Sequence, residues 1–170
     1  MQMTGTRTIA APPSDVYAAL LDADVLKACV PGATEVAGSP EDGFEATVVQ
    51  KVGPVKATFK GAVTLSGMTP NEALTITGEG KGGAAGFAKG GADVRLAPAE
   101  EGTELSYDVE AKVGGKLAQL GSRIIDGFAK KMADQFFDNL AAALEGAPED
   151  APGDAPVEEK KKSWLSRLTG

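Results

Sequence analysis

Alternating apolar and polar positions fill the first two thirds of this chain, and a helical stripe takes over in the last third. Met3, Gly5, Arg7 and Ile9 alternate with Thr4, Thr6 and Thr8, which predicts an edge-type strand. Phe44, Ala46 and Val48 oppose Glu45 and Thr47. The clearest period of two runs through Val55, Ala57, Phe59, Gly61, Val63 and Leu65, opposed by Lys56, Thr58, Lys60 and Thr64. Leu74 and Ile76 oppose Thr75 and Thr77, and Ala88, Gly90, Ala92, Val94 and Leu96 oppose Lys89, Asp93 and Arg95. Leu105, Tyr107, Val109 and Ala111 oppose Glu104, Ser106, Asp108, Glu110 and Lys112. Turn-forming clusters separate these segments: Pro40 to Gly43, Gly67 to Asn71, Gly82-Gly83 and Pro98 to Gly102.

Two short helices interrupt the strands early. Pro12-Pro13-Ser14-Asp15 suits a first helical turn, with Val16, Ala19 and Leu20 facing inward. A second turn carries Val25, Leu26 and Cys29 and ends at Pro31-Gly32. At about 100° per residue, the segment Lys116 to Leu144 reads as one long helix. Leu117, Ile124, Ile125, Phe128, Ala129, Met132 and Phe136 share its apolar side, opposite Lys116, Gln119, Arg123, Asp126, Lys130 and Asp134. Gly121 interrupts the apolar side, at a cost of about 1 kcal/mol relative to alanine. Either another backbone approaches there, or the missing side chain leaves room for a ligand. Phe137, Leu140 and Leu144 form a second patch, fit for packing on the first strand or for contact with another protein.

These elements predict an α+β fold in which a curved antiparallel sheet wraps a long C-terminal helix, with two short helices after the first strand. Half-apolar hairpin strands need one cover, and the long helix is the element able to supply it. Such a pairing of layers commonly leaves a cavity between them.

Composition narrows the function. The chain has 170 residues, 42% hydrophobic and 24% charged, which suits one globular domain plus an extension. A net charge of -7 argues against nucleic acid as a partner. Histidine is absent, which removes the commonest general base and metal ligand. Cys29 stands alone, so no internal disulfide can form, and its apolar helical setting makes it a small core residue. Asp93, Asp108, Glu110 and Asp126 sit on outward or polar faces, and no nucleophile has a base beside it. The sequence therefore reads as a non-enzyme without metal or covalent cofactor. Glycines crowd Gly78 to Gly91, but Lys81 lacks the Ser/Thr and the helix start that a phosphate loop needs. A bulged hairpin with small inward residues at Ala88, Gly90 and Ala92 fits better, with Phe87 at the rim; a mobile hairpin is the other reading.

Beyond residues 1–145 the character changes. Residues 146–159 are Ala, Pro, Gly and acidic residues with Val157 the one large aliphatic, which predicts a disordered linker. Residues 160–170 read as a basic amphipathic membrane-targeting tail: Lys160, Lys161 and Lys162 precede Trp164, Leu165 and Leu168, and Arg167 points elsewhere. Docking to a protein is the other use of such a tail. The N-terminus lacks the charged-then-apolar pattern of a signal segment, and no apolar run approaches roughly 20 residues. The expected location is cytoplasmic, peripheral on the inner face of the cell membrane, bound to anionic lipid.

Several strings resemble one known family. They are Ala28-Cys29-Val30-Pro31-Gly32, Lys51-Val52-Gly53-Pro54, Phe59-Lys60-Gly61, Gly86-Phe87-Ala88-Lys89-Gly90, the run Val113 to Arg123, and Phe136-Phe137. In this order they are similar to the G-subunit family of carbon monoxide dehydrogenase, within the START-like (SRPBCC) helix-grip superfamily of lipid and polyketide binders. The resemblance spans about residues 1–145. It implies a helix-grip fold, a hydrophobic ligand cavity, and association with a molybdenum hydroxylase of the carbon monoxide dehydrogenase type. It also implies a part in bringing that enzyme to the cytoplasmic membrane.

Together these readings predict an accessory protein with a cavity lined by Phe59, Phe87, Leu117, Gly121, Ile124, Phe128 and Met132. A quinone is the expected hydrophobic guest, because a soluble dehydrogenase must pass electrons to an apolar carrier. A ligand-free scaffold between enzyme and membrane is the runner-up, and a START-like cyclase or hydrolase stands third.

Overall fold

Seven strands and four α-helices make up the described part of the protein, a computed structural model covering residues 1–150, with side chains through residue 145. In chain order these are β1 (Gln2–Ile9), α1 (Pro13–Leu20), α2 (Ala23–Cys29), β2 (Ala33–Ser39), β3 (Gly43–Val52), β4 (Val55–Thr69), β5 (Ala73–Lys81), β6 (Phe87–Ala99), β7 (Gly102–Gly114), α3 (Lys116–Gln119) and α4 (Ser122–Asp150). Helix α4 thus runs on into the first residues of the expected linker. The rest of that linker and the whole basic tail lie outside the described residues.

The strands form one antiparallel sheet in the order β1-β7-β6-β5-β4-β3-β2. Strands β2 to β7 follow one another as hairpins, while β1 pairs with β7. The α1–α2 segment therefore carries the chain from one edge of the sheet to the other. Pro13 opens α1 at a position where the missing N–H costs nothing. Asp22 caps α2, its carboxylate accepting from the N–H groups of Asp24 at 2.8 Å and Val25 at 3.1 Å. At the other end of α2, the Asn139 side chain donates to the Cys29 carbonyl at 2.9 Å and ties α2 to α4.

Strand β2 escapes the alternation that marks the other strands. Its partly buried positions fall at every third residue, and the register slips between Ala33 and Glu35. It is an edge strand carrying one large apolar residue, Val36, so no period of two was available to find it.

The main core lies between α4, α1 and the β1/β7/β6 side of the sheet. Ile9, Leu105 and Leu140 are fully buried there, with Val16, Leu74, Val94 and Phe137 around them. Gly5 faces Tyr107 across the β1–β7 ladder, and the Tyr107 ring occupies the space that a side chain at Gly5 would need. That ring then stacks on Phe137 at 4.9 Å between centroids. Phe137, Leu140 and Leu144, expected to be a secondary patch, thus belong to the centre of the fold; they pack on the first strand and its neighbour.

The long helix is also not continuous. Gly121, at φ +90°, separates α3 from α4, and a side chain added to it would meet nothing within 4 Å. Close backbone approach therefore does not explain this glycine. It ends α3 in the left-handed conformation that glycine adopts without steric cost, and α4 restarts with the Ile125 N–H bonded to the Gly121 carbonyl at 3.2 Å.

Candidate functional site

A second, smaller apolar cluster occupies the end of the molecule where the β3–β4 turn, the β5–β6 loop and the α3–α4 break meet. Val52, Leu117 and Ile125 are buried at its centre. Met1, Val55, Phe59, Val113, Leu120 and Phe128 pack against them and stay partly open to solvent. The backbone of α4 approaches those of α1, α2, α3, β1 and β3. Gly80, on the inward face of β5, has nothing within 4 Å of where its side chain would lie.

Three connections close around this cluster. Gly53, at φ +57°, turns β3 into β4 and sets its α-carbon against the side chains of Ile124 and Leu120. The β5–β6 loop contains a 3-10 turn, Gly83–Ala85, with Ala85 buried. Gly82 lies on the Phe59 ring, and Gly86 packs on the backbone of Gly114 and Gly115 so tightly that no side chain fits. The glycine-rich run is thus an ordered loop that folds over Phe59, and its glycines serve close approach as well as turning.

Of the residues expected to line a cavity, the fold brings Phe59, Leu117 and Phe128 into this cluster. Met132 is partly buried one turn further along α4. Gly121 is exposed at the helix break, and Ile124 is 42% exposed beside Gly53. Phe87 departs from the expected lining. It alternates with the inward Ala88, shares the outer face with Lys89, lies over Gly114 and is 38% exposed. Val52, Ile125, Leu120 and Val113 were missing from the expected set. For Val52, and for Val55, which was also missing, the sequence signal was their bracketing of Gly53-Pro54, since a tight turn aims both flanking side chains at one face.

Two depressions, about 990 and 500 Å³, lie on the outer face of the sheet rather than between it and α4. Polar and charged side chains such as Thr64, Thr77, Asp93 and Asp108 line the first. Arg95 pairs with Asp108 at 2.8 Å, and the Thr75 hydroxyl donates to Asp93 at 2.8 Å. Burial shifts two groups in the core. Desolvation pushes the Cys29 thiol up to about 11, and it also raises Tyr17, whose hydroxyl donates to the Ala73 carbonyl at 3.2 Å. Among the described residues no helix is long and apolar enough to cross a membrane.

The fold is shared widely. A conserved protein from Geobacillus kaustophilus superposes with a TM-score of 0.80 at 24% identity, covering 86% of this chain and 97% of that one. A protein from Chromobacterium violaceum gives 0.63 at 22% identity over 85% and 96% of the two chains. The crystal structure of Ara h 8.0201 gives 0.58 at 12% identity over 85% and 97%. These likenesses establish the helix-grip fold alone. No curated protein matches the chain in sequence. The family model for the G subunit (CoxG) of carbon monoxide dehydrogenase matches residues 5–145, the sheet and its covering helix together. This chain belongs to the CoxG family.

Proposed function

We propose that the protein is a non-catalytic accessory of a molybdenum-containing carbon monoxide dehydrogenase-type enzyme. In this reading it holds a hydrophobic small molecule, a quinone, in the space between sheet and helix at the Phe59–Phe128 end. The basic tail brings it, with the enzyme, to the inner face of the cell membrane. Family membership supports the accessory role. The ligand rests on one observation: the Val52/Leu117/Ile125 cluster leaves Phe59, Phe128, Val55 and Val113 partly open on the inward face. Each of these apolar side chains would gain roughly 25 cal/mol for every Å² that a guest removed from water.

Such a guest meets the apolar side chains of Phe59, Phe128, Val55 and Val113, which suits a ring-and-chain molecule better than a charged metabolite. Organic extraction of the purified protein followed by mass spectrometry tests the ligand. Recovery of a quinone at near-equal molar ratio is the expected result; recovery of neither quinone nor lipid overturns it. Deletion of 163–170 tests the tail, with weaker binding to anionic vesicles expected and unchanged thermal unfolding. An unaltered vesicle partition would remove the tail from the account.

A further inference from the structure

Six lysines gather on the outer face of the sheet at the same end, in a chain whose net charge is -7. The strand register sets them against one another: Lys51 opposite Lys56, Lys60 opposite Lys81, and Lys89 opposite Lys112. Like charges directly opposed across a ladder destabilise a sheet. Glu79, opposite Lys89 on the β5–β6 ladder and paired with Lys81, offsets part of this repulsion, and an anionic partner would relieve the rest. All six are exposed, and among the described residues one ion pair forms within the set, Lys81 with Glu79 at 3.7 Å.

Phe87 sits inside this field. Lys60, Lys81, Phe87 and Gly114 are consecutive partners across four strands, and Lys89 follows two residues later on the same face. Its ring is exposed because Gly114 beneath it offers no side chain to cover it. Carboxylates border the patch on both sides: Glu35, Glu45 and Glu79 share a depression with Lys60 and Lys81, and Glu79, Asp93, Asp108 and Glu110 line the one that holds Lys89 and Lys112. The other acidic turn residues sit at the far end of the strands. Glu41 and Asp42 join β2 to β3, Glu72 joins β4 to β5, and Glu100 and Glu101 join β6 to β7. Hairpin order alternates the turns between two ends, so the domain is polarised along its strands.

We propose that this lysine and Phe87 corner is a docking face of the domain itself for an anionic phospholipid bilayer. The patch uses lysine, a flexible point charge suited to a diffuse field of headgroups, and lacks the planar arginine forks of site-specific anion recognition. An exposed aromatic ring among basic side chains matches the headgroup boundary, with apolar surface below and charge above. The location matters as well. Gly53, Ile124 and the β5–β6 loop adjoin this corner, so a docked domain presents the open end of its apolar cluster toward the lipid. This inference deepens the carrier reading by giving the domain an orientation, and it needs nothing from residues 151–170.

The experiment measures full-length protein on vesicles of equal parts phosphatidylglycerol and phosphatidylcholine, beside vesicles of phosphatidylcholine alone. A surface lysine contributes about fivefold in partition to an anionic leaflet, so Lys89→Gln/Lys112→Gln should weaken binding to the anionic vesicles roughly 25-fold. Its melting temperature should hold, because the Lys89–Lys112 repulsion and the cross-strand Lys89–Glu79 attraction are lost together. Lys60→Gln/Lys81→Gln repeats the test at the neighbouring pair and keeps it valid if the first variant misfolds. Phe87→Ser should lose a further few-fold on anionic vesicles. Undiminished anionic binding in both lysine variants overturns the proposal, as does an equal loss on neutral vesicles. Intact vesicle binding with lost binding to a carbon monoxide dehydrogenase would reassign the face to the enzyme. Trp164→Ala/Leu168→Ala, made in both backgrounds, reads the tail separately, so either contact can fail alone.

Discussion

The two ends of this one sheet-and-helix sandwich are built from the same residue types and reach opposite packing. At the Leu140 end, α1, α2, β1, β7 and α4 converge, and Ile9, Leu105 and Leu140 lose all exposure. At the Phe59 end, among the described residues, α3, one loop and the start of α4 face the sheet, and most of the apolar side chains remain partly open. The difference lies in how many helices cover the strands, not in hydrophobicity. Helix α1 packs on β6 and β7 beside α4 and completes the core at one end, while among the described residues no such helix covers the other.

That contrast can be broken at its strong side first. Leu140→Ala removes a fully buried side chain and should cost about 2–5 kcal/mol in urea unfolding. A loss under 1 kcal/mol would mean that the packed end is less ordered than its burial implies. The Cys29 thiol gives a second probe there. Its folded pKa is raised to about 11 from 9.0 by burial, so the unfolded chain ionises first as pH rises. Stability contributed by the neutral thiol is therefore complete below about pH 9 and lost progressively toward 11, by an amount on the order of 2–3 kcal/mol. Cys29→Ser should flatten that decline, and iodoacetamide should modify native Cys29 only as fast as the protein unfolds.

The weaker side sharpens the comparison. Phe128→Ala should cost only about 1 kcal/mol, well below the 3–5 typical of a buried phenylalanine, because part of its surface is already wet. The same change should lower retention of an extracted quinone added back to the protein, measured by co-elution. Equal destabilisation at Phe128 and Leu140 would erase the distinction between the ends. Smallest of all, Gly121→Ala meets no neighbour, yet it places a side chain at φ +90°; a loss of about 1 kcal/mol is expected from thermal unfolding.

Much of the architecture was legible along the chain. The period of two through Val55–Leu65 and Leu105–Ala111 located strands because an exposed antiparallel sheet must alternate. Asp15 and Pro13 marked α1 for reasons confined to a single helical turn. Where periodicity failed, so did the reading. Strand β2 carries a bulge and one large apolar residue, and the α3–α4 break hides inside an apolar stripe that continues on both sides of Gly121. A glycine in such a stripe signals a missing side chain, but only the backbone angle tells whether the chain bends there.

The candidate site shows the same division. Phe59, Leu117 and Phe128 could be chosen from sequence because each lies on the apolar face of its own element. Phe87 was placed at the rim of the cavity, although the alternation that turns Ala88 inward already sets it on the outer face. Local pattern thus determined the elements, their inward faces and the basic tail's composition, all set by neighbours a few residues apart. Only the tertiary structure decided that Phe137 and Leu140 anchor the core and that Lys60, Lys81, Phe87 and Lys89 share one corner. Those outcomes depend on pairings between distant segments, and strand register is fixed by the packing of the whole sheet rather than by any stretch of it.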